Sequence, residues 1–131
     1  MALRKKLLLI DDNPAFCDLA QAWLAPHYDL VVANDAPAAL QVLAAKAGVP
    51  DLVLLDVMMP AMSGIEFFMK IREDPRLKMV PVLFLTAYHQ VLAGKDEALF
   101  RRCRVLLKPF RIEELKEQIE QMLAESPQAP S

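Results

Sequence analysis

The sequence predicts an α/β domain built as a doubly wound, five-stranded parallel sheet with helices on both faces. Short apolar runs alternate with segments of helical periodicity from one end of the chain to the other. The runs are apolar throughout, as strands buried on both faces are, instead of alternating apolar and polar. Two of them stop abruptly at carboxylates, Asp11 and Asp12 after the first run and Asp56 after the third, as happens where a buried strand opens onto a crevice.

Lys6 to Ile10 is the first strand. Asn13-Pro14 starts a helix in which Phe16, Leu19, Ala20, Trp23 and Leu24 share one face, and Pro26 stops it. Tyr28 to Ala33 is the second strand. Asn34 or Asp35 caps the next helix, whose stripe of Ala36, Ala39, Leu40, Leu43, Ala44 and Ala47 allows close approach to a sheet before Gly48 ends it. Asp51 to Asp56 is the third strand.

A loop, Val57 to Gly64, carries Pro60 and Gly64. Ile65, Phe68 and Met69 give a helical face that ends near Asp74-Pro75, and Val80 to Thr86 is the fourth strand, with Pro81 at its entry. Val91 to Arg102 is the weakest helix, because Gly94 lies inside it and Lys95, Asp96 and Glu97 break the apolar spacing. Arg104 to Lys108 is the fifth strand, and Ile112, Leu115, Ile119, Met122 and Leu123 define a last amphipathic helix. Residues 1–125 make one domain, and Ser126 to Ser131 a loose tail or the start of a linker.

At 131 residues and 55% hydrophobic content the chain fits one domain with a substantial core. A formal net charge of -2 gives no global basic field, so no intrinsic nucleic-acid-binding domain is expected. Arg4-Lys5-Lys6 before Leu7 to Ile10 has the flavour of a signal peptide, but Asp11 and Asp12 interrupt the apolar run at once. No other stretch approaches the roughly 18 apolar residues of a membrane span. No membrane insertion is expected, and a soluble cytoplasmic protein follows.

Cys17 and Cys103 lie far apart, without zinc-ligand spacing to His27 or His89, and read as reduced intracellular thiols. His27 and His89 read as loop residues. Trp23 and Phe67-Phe68 share the core periodicity and serve packing.

Asp11, Asp12, Asp56, Thr86 and Lys108 all fall at strand carboxyl ends, where ligands bind in such sheets. Clustered carboxylates repel one another unless a cation compensates, and oxygen-only ligands that leave room for a phosphate oxygen suit Mg²⁺. With metal and Lys108 offsetting the charge, Asp56 can act as a nucleophile toward phosphorus, and the Thr86 hydroxyl can bond the new phosphoryl oxygen.

Over Lys6 to Glu125 the chain resembles the receiver domain of two-component response regulators. The likeness rests on Leu9-Ile10-Asp11-Asp12-Asn13, Leu54 to Pro60, Ser63-Gly64, Leu85-Thr86-Ala87 and Leu107-Lys108-Pro109-Phe110, in family order. It implies a flavodoxin-like sheet of order 2-1-3-4-5, an order for which a receiver protein is a standard illustration. It also implies that Asp56 is the phosphoacceptor, that Asp11, Asp12, Asp56 and the Met58 main-chain carbonyl hold Mg²⁺, and that Thr86 and Lys108 are the switch and phosphate-binding residues. A cis Lys108-Pro109 bond would help aim the lysine. The donor would be a phosphohistidine on a histidine kinase or histidine phosphotransfer protein. The chain would catalyse only its own phosphotransfer and autodephosphorylation, and would pass the signal to a downstream protein, a homodimer being one form it could take.

Val105 stands where many receivers carry an aromatic residue in the conformational relay. Phe100 to Arg104 replaces a small Gly-Ala pair, and with Lys95 and Arg111 it could form a basic patch or a solvated face. Met58 and Tyr88 lie two residues after Asp56 and Thr86, positions that in the family the chain resembles border the route of attacking water, and the resemblance implies that bulk there slows hydrolysis. The alternative to a phosphorylation-dependent switch is a phosphorylation-independent adaptor that binds partners constitutively. An aspartate-nucleophile phosphatase would carry a second acid two residues after Asp56, where Met58 stands.

Overall fold

The structure, a computed structural model, describes residues 4–45, 48–88 and 101–125. Five strands, β1 (Lys6–Ile10), β2 (Asp29–Ala33), β3 (Leu52–Asp56), β4 (Val82–Thr86) and β5 (Cys103–Leu107), form one parallel sheet in the order β2-β1-β3-β4-β5. Among the described residues the helices are α1 (Pro14–Leu24), α2 (Ala36–Ala44), α3 (Gly64–Arg72) and α4 (Ile112–Ala124). The expected Val91–Arg102 helix, His89 and the 126–131 tail fall largely or wholly outside the described residues.

Every residue of β3 and β4 is buried, whereas the edge strands β2 and β5 are only partly covered. That contrast explains why the central runs are apolar at every position. Successive side chains go to opposite faces. Leu8, Ile10, Val53, Leu55, Val82 and Phe84 pack with α2 and α3, and Leu7, Leu9, Leu52, Leu54, Leu83 and Leu85 with α1 and α4. The two thiols, both free, belong to opposite faces.

Local chemistry sets the helix starts. The side chains of Asn13, Asp35 and Ser63 accept from the main-chain N–H of Phe16, Ala38 and Glu66, and Ser63 and Glu66 complete a capping box. Two expected helix faces hold except for one residue each, since Phe16, Ala20, Trp23 and Leu24 in α1 and Ile65 and Phe68 in α3 face the core. Leu19 and Met69 are 49% and 40% exposed, and the buried apolar side chains are Cys17, Ala20 and Leu24 in α1 and Phe67, Phe68 and Ile71 in α3. Short helices offer several apolar stripes, and contact with the sheet selects one.

Strand limits shift for identifiable reasons. β4 begins at Val82 and not Val80, because Pro81 has no N–H for the ladder; its carbonyl accepts from Val53 instead. Lys108 lies just beyond β5, although its N–H still donates to the Thr86 carbonyl at 2.8 Å. α2 ends at Ala44, and Ala47 lies outside the described residues.

Arg102 and Arg104 are committed within the chain. Arg102 donates to the carbonyls of Met79 and Glu125, while Arg104 bonds Gln118 and Gln121 and pairs with the Glu125 carboxylate. Both arginines tie the start of β5 to the end of α4, and of the expected basic patch Arg104 is charge-paired, while Lys95 lies outside the described residues. Glu125 stands at the sheet's amino-terminal edge, away from Asp11, in a cleft of about 320 Å³ that Lys5, Pro50, Pro81, Arg102 and Met122 also line, and Arg4 precedes β1 at the same edge.

Candidate functional site

Strand order reverses between β1 and β3, so the residues just past their carboxyl ends face a common crevice. Asp11 and Asp12 follow β1, and Asp56 ends β3. One carboxylate oxygen from each lies within 4.8 Å of the other two. Asp11 and Asp56 are buried and Asp12 is exposed, so the cluster is open on one side.

Asp11 is held from three directions. Its Oδ1 accepts from the Asn13 N–H at 2.8 Å, its carbonyl accepts from the Cys17 thiol at 3.3 Å, and its N–H donates to the Ala33 carbonyl. Its Oδ2, fully buried, has no hydrogen-bond donor among the described residues. Lys108 Nζ stands 3.7 Å from that oxygen and 3.7 Å from Asp56 Oδ1, close enough for charge attraction but beyond a directional hydrogen bond.

Burial is the largest influence on both buried acids and pushes their carboxyls above the ordinary range. At Asp11 the Asn13 N–H and Lys108 pull the other way; at Asp56 the neighbouring Asp11 adds to the rise and Lys108 opposes it. A buried carboxylate oxygen without a donor, facing two further carboxylates, is a donor set fitted to a hard divalent cation.

Thr86, buried at the end of β4, is one position past the residue paired with Asp56, and its Oγ1 accepts from the Tyr88 N–H at 3.1 Å. The Met58 N–H donates to Asp56 Oδ1 at 3.2 Å. The Met58 and Tyr88 side chains are both exposed, at 60% and 58%. Lys108-Pro109 is cis, as the family likeness implies. Val105, half-buried, sits opposite Phe84 in the β4–β5 register and packs on the α2–α3 face.

The structure thus brings Asp11, Asp12, Asp56 and Lys108 together and sets Thr86 on the adjacent strand, while Val105 belongs to the sheet face. Sequence reading missed three supports. The Cys17 thiol carries no motif signal. The Phe16–Phe110 ring pair joins residues far apart in sequence. Gly64 had a signal, its place after Ser63 in the loop, but not its reason: a Cβ there would lie 2.4 Å from the Asp56 carbonyl oxygen.

A five-stranded sheet of this order, with an acidic cluster at its switch point, is the architecture of the flavodoxin-like class. The chain belongs to the response regulator receiver domain family, whose model matches residues 7–120. It is 36% identical over 127 residues to response regulator Rre1 of Synechocystis sp., covering 95% of this chain and 54% of that protein. The chain thus spans about half the length of this curated relative. Among solved structures it resembles the chemotaxis response regulator CheY4 of Vibrio cholerae, with a TM-score of 0.77 and 26% identity over 91% of this chain and 98% of the other. It also resembles the response regulator TrrA of Thermotoga maritima in complex with Mg(2+)-BeF, with a TM-score of 0.75 and 29% identity over 90% and 98%.

Receiver domains are phosphoryl-accepting switches of two-component systems, phosphorylated by histidine kinases or phosphotransfer proteins, and are not enzymes in the ordinary sense. No helix among the described residues is long and apolar enough to cross a membrane.

Proposed function

We propose that Asp56 accepts a phosphoryl group from a phosphohistidine donor, with Asp11, Asp12, Asp56 and the Met58 main-chain carbonyl holding Mg²⁺, and that the phosphorylated chain signals by docking on another protein. The observation that carries this is the buried Asp11 Oδ2, without a donor among the described residues, beside two more carboxylates and a lysine at the sheet's switch point. The solved likeness to TrrA in complex with Mg(2+)-BeF supports the choice of metal.

A carboxylate oxygen of Asp56 attacks phosphorus, the bond from phosphorus to the donor nitrogen breaks, and the departing imidazole nitrogen takes up a proton. When bound, the ion neutralises the carboxylates and draws negative charge from the phosphoryl oxygens. Lys108, already balanced between Asp11 and Asp56, has a short move to a phosphoryl oxygen. The Thr86 hydroxyl, whose oxygen accepts from Tyr88, keeps its own proton to donate to another. The Met58 N–H fixes Asp56 in place. Hydrolysis of the aspartyl phosphate by the same site resets the switch.

Incubation with phosphoramidate should label the chain stoichiometrically when Mg²⁺ is present, and neither the Asp56→Asn variant nor the chain in excess chelator should label. Labelling that survives Asp56→Asn would remove this assignment. A partner bound equally well by the wild type and Asp56→Asn would favour the constitutive adaptor, a reading that Val105 in place of an aromatic relay keeps in view.

A further inference from the structure

We infer that Phe16 is a positioning residue for Lys108: its ring, braced edge-on by Phe110, gives the lysine ammonium a station that does not depend on the carboxylates. This rests on the assignment of Lys108 as a phosphoryl ligand. Lys108 Nζ lies over the Phe16 ring, 5.8 Å from its centroid, within the range of cation–π attraction. Phe110, two residues after the lysine, meets the same ring at 5.9 Å and 81°, an edge-to-face contact that fixes the ring's tilt.

Phe16 is itself tied to the acidic site. Its N–H donates to Asn13 Oδ1 at 3.1 Å, and the Asn13 N–H donates to Asp11 Oδ1 at 2.8 Å. One turn of chain therefore sets both the buried acid and the ring that the lysine faces. Phe16 follows β1 and Phe110 follows β5, strands separated in the sheet by β3 and β4, so the ring pair joins two segments that no ladder connects.

A second station is needed because of what holds the lysine otherwise. Both carboxylate contacts are at 3.7 Å, so they hold it by charge and not by directed hydrogen bonds. Those charges are the ones a divalent cation neutralises. A flexible four-carbon stem would then lose its hold just as the site fills, whereas an aromatic face keeps its quadrupole whatever occupies the acids. Phe16 acts through Lys108, whose ammonium its ring faces.

The test is a double-mutant cycle on the whole chain with phosphoramidate and saturating Mg²⁺. Phe16→Leu should slow Asp56 phosphorylation about fivefold in the protein that retains Lys108 and leave the residual rate of Lys108→Met unchanged. Phe16→Tyr, which keeps the ring, should restore the rate. By NMR, the Lys108 ε-methylene protons should lose their ring-current shift in Phe16→Leu and keep it in Phe16→Tyr. Equal slowing in both lysine backgrounds, no slowing at all, or an unmoved lysine resonance would overturn the inference. If Asp56→Asn still labels, the phosphoacceptor assignment is what fails, and the NMR comparison decides the lysine's anchoring without it.

Discussion

Asp11 is wholly buried, yet among the described residues only one of its carboxylate oxygens has a donor, and that imbalance is the residue-scale fact from which the site's chemistry follows. Among the described residues, Met58 and Tyr88 are exposed apolar side chains beside the same crevice, and the main-chain N–H of each already serves the site. They present hydrocarbon and ring where a polar side chain would collect and orient water. Met58→Asn and Tyr88→Glu should each shorten the lifetime of the aspartyl phosphate severalfold, measured as loss of label after the donor is removed, and unchanged lifetimes would remove this role. The carboxylates, hydroxyl and lysine were legible in the sequence because each terminates an apolar run. Phe16 and Cys17 were not, since a ring or thiol on a helix face has the same pattern whether it packs in the core or supports an acid.

At the scale of elements, α3 docks against the end of β3 with no space to spare. The Gly64 N–H donates to the Val57 carbonyl at 2.9 Å, and a Cβ at 64 would fall 2.4 Å from the Asp56 carbonyl oxygen and 2.8 Å from Val57 Cα. These are backbone atoms of the strand that carries Asp56, so relief requires the helix start or the strand end to move. Gly64→Ala should destabilise the fold by about 1–3 kcal/mol in urea unfolding, and a loss within experimental error would show that the helix start adjusts freely. The strand cores were readable because β3 and β4 are covered on both faces. Helix orientation was less so: Leu19 and Met69 belong to apolar stripes but face outward, a choice made by sheet packing and not by periodicity. Another feature without a sequence signal is Arg72, buried over the Phe68 ring and donating to the carbonyls of Leu77 and Arg101. It looks like an ordinary basic residue at a helix end, yet it pins α3 to the segment entering β5.

For the whole molecule, the acidic cluster is a site held at the expense of stability. Asp11 and Asp56 have carboxyls raised by burial, so the folded chain binds protons more tightly than the unfolded one around those values. Metal-free stability should therefore rise as pH falls from neutral toward the ordinary carboxylate range, and decline again as pH climbs through the raised values. Asp56→Asn should raise the metal-free melting temperature by roughly 3–6 °C, about 1 kcal/mol for a domain of this length. Added Mg²⁺ should raise the wild-type melting temperature and have much less effect on the variant; equal responses would count against Asp56 as a ligand. All of this chemistry is gathered at the carboxyl edge of the sheet, whereas Arg4, before β1, and Glu125, bonded to Arg102 before β5, both lie at the opposite edge. A tether or surface linkage attached at either residue would leave the acidic edge turned toward solution, which makes the chain easy to immobilise with its working end free.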